Sequence, residues 1–88
     1  MSTTDAGGGV SPLRAVLEVV VRALVDRPES VRVTETERRG MSVLELRTAP
    51  DDMGKIIGRR GRVAQAIRTV VRAAGAKEGI DAQVEIVD

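Results

Sequence analysis

Residues 53–63 read MGKIIGRRGRV, and the chemistry this stretch could do is the holding of an anion. Gly58 and Gly61 bracket Arg59 and Arg60, and Arg62 follows directly. Glycine has no Cβ, so a ligand can come close to the backbone and the turn can use positive φ. A helix beginning after Gly61 would aim its free N–H groups and its positive dipole end the same way. Arg59, Arg60 and Arg62 add full charges there, with Lys55 just upstream. These are the parts of a phosphate-binding corner. The plain alternative is a tight turn between two helices with solvated arginines, and a bare G-x-x-G on its own carries little weight.

Other chemistries are poorly served. The sequence has no His, Cys or Tyr, which removes the usual general bases, activated nucleophiles and zinc ligands. The glycines follow neither G-x-x-x-x-G-K-[ST] nor G-x-G-x-x-G. The one adjacent carboxylate pair, Asp51-Asp52, stands at an expected helix start, where a capping role accounts for it. A phosphate-contacting loop without a base or a metal site reads as a binder. The expectation is no enzymatic activity, no cofactor, no metal and no small-molecule substrate.

Charge is distributed unevenly. Net charge is +1, but residues 53–77 hold seven of the fourteen basic residues and none of the thirteen acidic ones. The remainder sets seven basic against thirteen acidic residues, a net of −6. A basic element on an acidic body is a directed electrostatic face. It is interleaved with apolar residues, so it should be folded.

The elements that must position this loop follow from periodicity. In 88 residues there is room for one small domain, with 42% hydrophobic content and no aromatic side chain to fill the core. Residues 1–10 are small, polar and Gly-rich and read as a disordered tail. Ser11-Pro12 is a helix start, with Leu13, Val16, Leu17, Val20 and Leu24 as its buried stripe and an end near Asp26, before Pro28. Val31–Thr34 and Val43–Arg47 alternate as two strands of a hairpin, turning at Glu37–Gly40. A short helix should run from Asp51 to about Ile57 and stop at Gly58. A longer one should follow Gly61, with Val63, Ala66, Ile67, Val70, Val71 and Ala74 inward, broken by Gly75 and Gly79. Ala82–Val87 closes as a strand. The order predicts an α+β fold, a three-stranded sheet covered on one face by helices. Val19, Val21 and Val71 look surplus to so small a core, and exposed apolar surface of that kind marks an interface. The N-terminus lacks signal-peptide order and no run is long enough to span a membrane, so a cytoplasmic protein without membrane contact is expected.

With this context, GKIIGRRGRVAQAIRTVVRAA resembles the signature of the KH domain. The resemblance is closest to the stand-alone bacterial KH proteins of the KhpA type and covers about Ser11 to Asp88. It implies a type II KH fold, α-β-β-α-α-β, as a single domain over residues 11–88. It further implies single-stranded RNA as partner, clamped through Gly58, Arg59, Arg60 and Gly61 over about four nucleotides. Ile57 and Val63 would line an aliphatic base groove beside the loop, while Ile56 and Ile67 read as core. Lys55 and Arg62 are candidates for phosphate contacts, and Arg68 and Arg72 for surface charge or an interface. The absence of aromatics argues against readers that stack bases on aromatic platforms, not against an aliphatic groove. Nothing in the residues tells a 2′-hydroxyl from a hydrogen, so single-stranded DNA stays open. The family also implies an RNA chaperone or post-transcriptional regulator, a homodimer, and a KhpB (Jag)-like KH partner. Assembly is thus a second function class beside RNA binding.

Overall fold

The Ser11 hydroxyl accepts from the Arg14 N–H at 3.1 Å and donates to the Glu35 carboxylate, starting helix α1 (Pro12–Leu24) with Pro12 at its first position. The structure is a computed structural model and describes residues 11–87. The tail expected over residues 1–10 lies outside the described residues. α1 buries Leu13, Leu17 and Val21, three residues at intervals of four. The face is rotated from the expected stripe. Leu24 is 41% exposed, Val16 and Val20 are half-buried, and Val21 is in the core rather than surplus on the surface. α1 ends at Leu24 with Val25 extended, and a short 3₁₀ turn, Pro28–Ser30, leads to the sheet.

Strands β1 (Arg32–Arg38) and β2 (Met41–Arg47) pair antiparallel from Arg32↔Arg47 to Arg38↔Met41. The two-residue loop between them, Arg39-Gly40, has φ of 55° and 80°, as tight hairpin turns of matching twist require. β1 therefore runs four residues past the expected Thr34. Helices α2 (Met53–Ile57) and α3 (Arg62–Glu78) make the crossover to β3 (Asp81–Ile86), which pairs parallel with β2 from Met41↔Asp81 to Leu46↔Ile86. Sheet order is β1-β2-β3, the helices cover one face, and the α+β arrangement is the one expected.

The core lies between those layers: Leu13, Leu17 and Val21 meet Val33, Leu44, Leu46 and Val84, with Ile56, Ile67 and Val71 closing it. Burying an aliphatic side chain of this size contributes about 1.5–3 kcal/mol, so branched residues alone can hold the layers together. Ile56 and Ile67 are core, as expected; Val71 is core as well, in keeping with its inward place on α3 and against its being surplus. Ala66 and Val70 point outward instead, because α3 turns Ala64, Ile67, Val71 and Gly75 to the sheet. Gly75 does not break the helix. A Cβ there would stand 2.5 Å from the Ile80 carbonyl oxygen, so glycine is needed for the close return of the chain. The helix stops at Gly79, where the Gly79 and Ile80 N–H groups donate back to the Ala76 and Gly75 carbonyls.

Candidate nucleic-acid interface

α2 is five residues long, anchored by the fully buried Ile56, and closes with the Gly58 N–H donating to the Gly54 carbonyl at 2.9 Å. Gly58 then takes φ 73° and ψ 174°, a conformation essentially confined to glycine. A Cβ at Gly58 would also fall 2.3 Å from Val63 Cγ2 and 2.9 Å from the Val63 backbone nitrogen. Arg60 (φ 58°, ψ 25°) and Gly61 (φ 73°, ψ 14°) are both left-handed, and the Gly61 N–H donates to the Gly58 carbonyl at 3.2 Å. A left-handed non-glycine residue carries about 1–2 kcal/mol of steric penalty, so the fold holds Arg60 in this turn against its own preference. α3 begins at Arg62 with neither a side-chain cap nor an acidic residue in its first turn. The Arg62 N–H donates to the Arg59 carbonyl within the turn.

The structure brings Arg59, Arg60, Arg62 and the two glycines to one corner. All three arginines are exposed, and none has an ion-pair partner among the described residues. Lys55 is different. Its Nζ stands 2.7 Å from Asp26 Oδ2 and 3.6 Å from Asp52 Oδ1, and is committed to the protein rather than offered outward. The Asp26 carboxylate as hydrogen-bond acceptor outweighs the Lys55 amine's partial desolvation and, with Asp52, holds it above the ordinary lysine range. At Asp52 burial pushes the carboxyl up, but the Asp26 and Arg27 N–H groups and the Lys55 ammonium outweigh it, and the net shift is downward. The Asp51-Asp52 pair does not cap α2: neither side chain bonds its N-terminus, and Asp52 is buried facing α1's exit.

The aliphatic candidates separate. Val63, half-buried, lines an apolar groove of about 300 Å³ between α1 and α3 with Val20, Leu24, Ala66, Ile67, Val70 and the Arg62 stem. Ile57 is not part of that groove and is 40% exposed at the end of α2. A second groove of about 540 Å³ runs along β3, where Arg68 and Arg72 of α3 face Gln83, Val84 and Glu85. Arg68 Nε donates to the Val84 carbonyl at 3.4 Å, on the free edge of the sheet. Periodicity placed these arginines on the outside of α3 but could not show which strand they would lie against. Among the described residues no cluster of His, Cys, Asp or Glu could hold a metal ion, and no helix is long and apolar enough to cross a membrane.

The family model described as "KhpA/KhpB, KH domain" matches residues 14–86. The RNA-binding protein KhpA of Clostridium perfringens is 47% identical over 75 residues, covering 85% of this chain and 100% of that protein. The RNA-binding protein KhpA of Aquifex aeolicus is 42% identical over 79 residues, covering 90% of this chain and 100% of its own. That of Streptomyces coelicolor is 47% identical over 76 residues, 86% of this chain and 92% of its own. Among solved structures, a point variant of Aquifex aeolicus Era bound to GDP and aluminium fluoride superposes with a TM-score of 0.58 at 18% identity. It covers 99% of this chain but only 36% of Era, a likeness of fold alone.

Proposed function

The chain belongs to the KhpA/KhpB KH-domain family, and from that premise we propose that it is a non-enzymatic, cytoplasmic, single-stranded RNA-binding protein. Its relatives carry the name RNA-binding protein KhpA over nearly their whole length. The observation that carries the reading is the corner itself: three arginines without ion-pair partners among the described residues, on a two-glycine turn at the start of α3. The Gly58–Gly61 loop clamps the phosphates of a short single-stranded stretch, and Arg59, Arg60 and Arg62 neutralise them. With the amine of Lys55 engaged by Asp26 and Asp52, the phosphate contacts fall to the arginines. Val63 and Ile57 offer apolar surface to bases near the loop. Binding without base-specific contacts of this kind suits an RNA chaperone or post-transcriptional regulator.

The test is fluorescence anisotropy of a labelled mixed-sequence single-stranded RNA across a salt series, for the wild type and for Arg59→Asp/Arg60→Asp. The wild type should bind with a log–log salt slope of about −0.7 per neutralised phosphate, and the folded variant should lose most of its affinity. Equal binding by both would make the loop only a turn. The same series on single-stranded DNA shows whether the sugar matters.

Assembly is a second reading, favoured by one observation: Val19 is 69% exposed, and Leu24 and Val70 are exposed at the apolar α1–α3 groove. Exposed apolar surface of this kind fits a second copy of the chain or a KhpB-like partner.

A further inference from the structure

Asp52 is the one buried charged residue among the described residues, with 1% of its surface exposed, and a carboxylate has no use for phosphate. It stands immediately before α2, yet its oxygens take no hydrogen bond from that helix's first amides. Oδ1 accepts from the Asp26 N–H at 3.1 Å, and Oδ2 from the Arg27 N–H at 3.0 Å. Those amides belong to the stretch just past α1, where the chain has left the helix and has no intrahelical acceptor to offer them. Lys55, three residues on in α2, reaches from Asp52 to Asp26 and completes the junction. A buried carboxylate is tolerated only when paired and hydrogen-bonded, and both conditions are met here.

What this junction holds is the loop. A five-residue helix cannot keep its own conformation or direction in water. α2 is fixed by the buried Ile56 on one side and by Asp52 and Lys55 on the other, and Gly58 follows its last residue. We propose that Asp52 is a positioning residue for the Gly58–Gly61 loop, with Lys55 its partner, and that the pair sets the direction in which Arg59 and Arg60 meet an RNA phosphate. The inference deepens the clamp reading and rests on it. It assigns the lysine of the motif to the protein's own carboxylates, Asp26 and Asp52, and leaves the arginines to the ligand. Pre-organisation of this kind raises affinity by lowering the ordering cost at the moment of binding.

The experiment uses the full chain and Asp52→Asn, which keeps the shape but leaves one backbone N–H facing an amide group that cannot accept. Folding is checked by far-ultraviolet circular dichroism, and the loop is watched through the amide resonances of Gly58, Arg59, Arg60 and Gly61. Those four should move and broaden while Val33, Leu44 and Val84 stay in place. Affinity for the labelled RNA should fall about tenfold at low salt. The salt slope should be unchanged, because the same arginines still reach the same phosphates. Arg59→Asp/Arg60→Asp should do the opposite and flatten the slope. If Asp52→Asn does not fold, Lys55→Gln, which spares both N–H bonds, should give the same pattern with about a threefold loss. A folded variant with wild-type loop resonances and affinity within about twofold overturns the assignment. So does a slope that falls with affinity. Should Arg59→Asp/Arg60→Asp bind like the wild type, the clamp reading fails and the amide resonances alone decide: moved, Asp52 still positions the loop; unmoved, it does not.

Discussion

Two glycines that look interchangeable in G-R-R-G do different physical work. Gly61 needs only its left-handed φ of 73°, and a Cβ there would meet nothing within 4 Å. Gly58 needs both a glycine-only backbone and the space, because a Cβ would overlap Val63 at 2.3 Å. Gly61→Ala should therefore lower stability by about 1–2 kcal/mol and leave the loop in place. Gly58→Ala must push Val63 and the first turn of α3 aside, with a further loss of about 1–3 kcal/mol from overpacking. In chemical denaturation the two variants should separate clearly, and only Gly58→Ala should abolish RNA binding under conditions where the protein stays folded. Equal effects would mean that the loop relaxes freely, and then the Val63 contact would not define it. The same contrast explains what could be read from residues alone. The basic glycine turn between two helices was legible from type and spacing. The partner of each side chain was not: Lys55 looks like its arginine neighbours until Asp26, 29 residues away, is seen against it.

At the scale of elements, the reading worked where signals are local. Ser11-Pro12 marks the start of α1, alternation marks the strands, and Gly58 ends α2, each by a rule that needs only neighbouring residues. It missed where a choice is settled by packing. α1 has apolar residues on more than one face, and packing keeps Leu13 and Leu17 of the expected stripe but buries Val21 and leaves Leu24 exposed. The Asp51-Asp52 pair obeys the rule for helix starts, yet burial turns Asp52 toward α1's exit. Gly75 is the sharpest case. Helix propensity says that Ala should replace it with a gain of about 1 kcal/mol. Packing says the reverse, since the new Cβ would stand 2.5 Å from the Ile80 carbonyl oxygen, a backbone atom that cannot swing away. Gly75→Ala should be net destabilising by about 1–2 kcal/mol and should shift the amide resonances of Ile80 and Ala82 in β3. A raised Tm would show that the α3–β3 connection has slack.

The whole molecule presents two unlike surfaces, and they bear on affinity together. One is the basic corner, which as the proposed clamp would engage only about four nucleotides and be correspondingly weak as a single site. The other is apolar: Val70, at 43% exposure, lines the groove between α1 and α3, and Val19, at 69%, stands outside that groove on α1. If a second copy covers that face, two clamps share one RNA and the second contact becomes intramolecular, which raises avidity without any new interaction. Val19→Asp/Val70→Asp places two like charges on that apolar surface while replacing side chains outside the core, so the fold should survive. In sedimentation equilibrium at high micromolar concentration the wild type should be a dimer and the variant a monomer. On a four-nucleotide RNA the two should bind alike; on one long enough to reach both clamps the variant should be weaker by about tenfold or more. A monomeric wild type would remove self-association. The same apolar face would then belong to a different KH protein, and mixing with such a partner should protect Val19 and Val70 from solvent where a second copy of the chain does not.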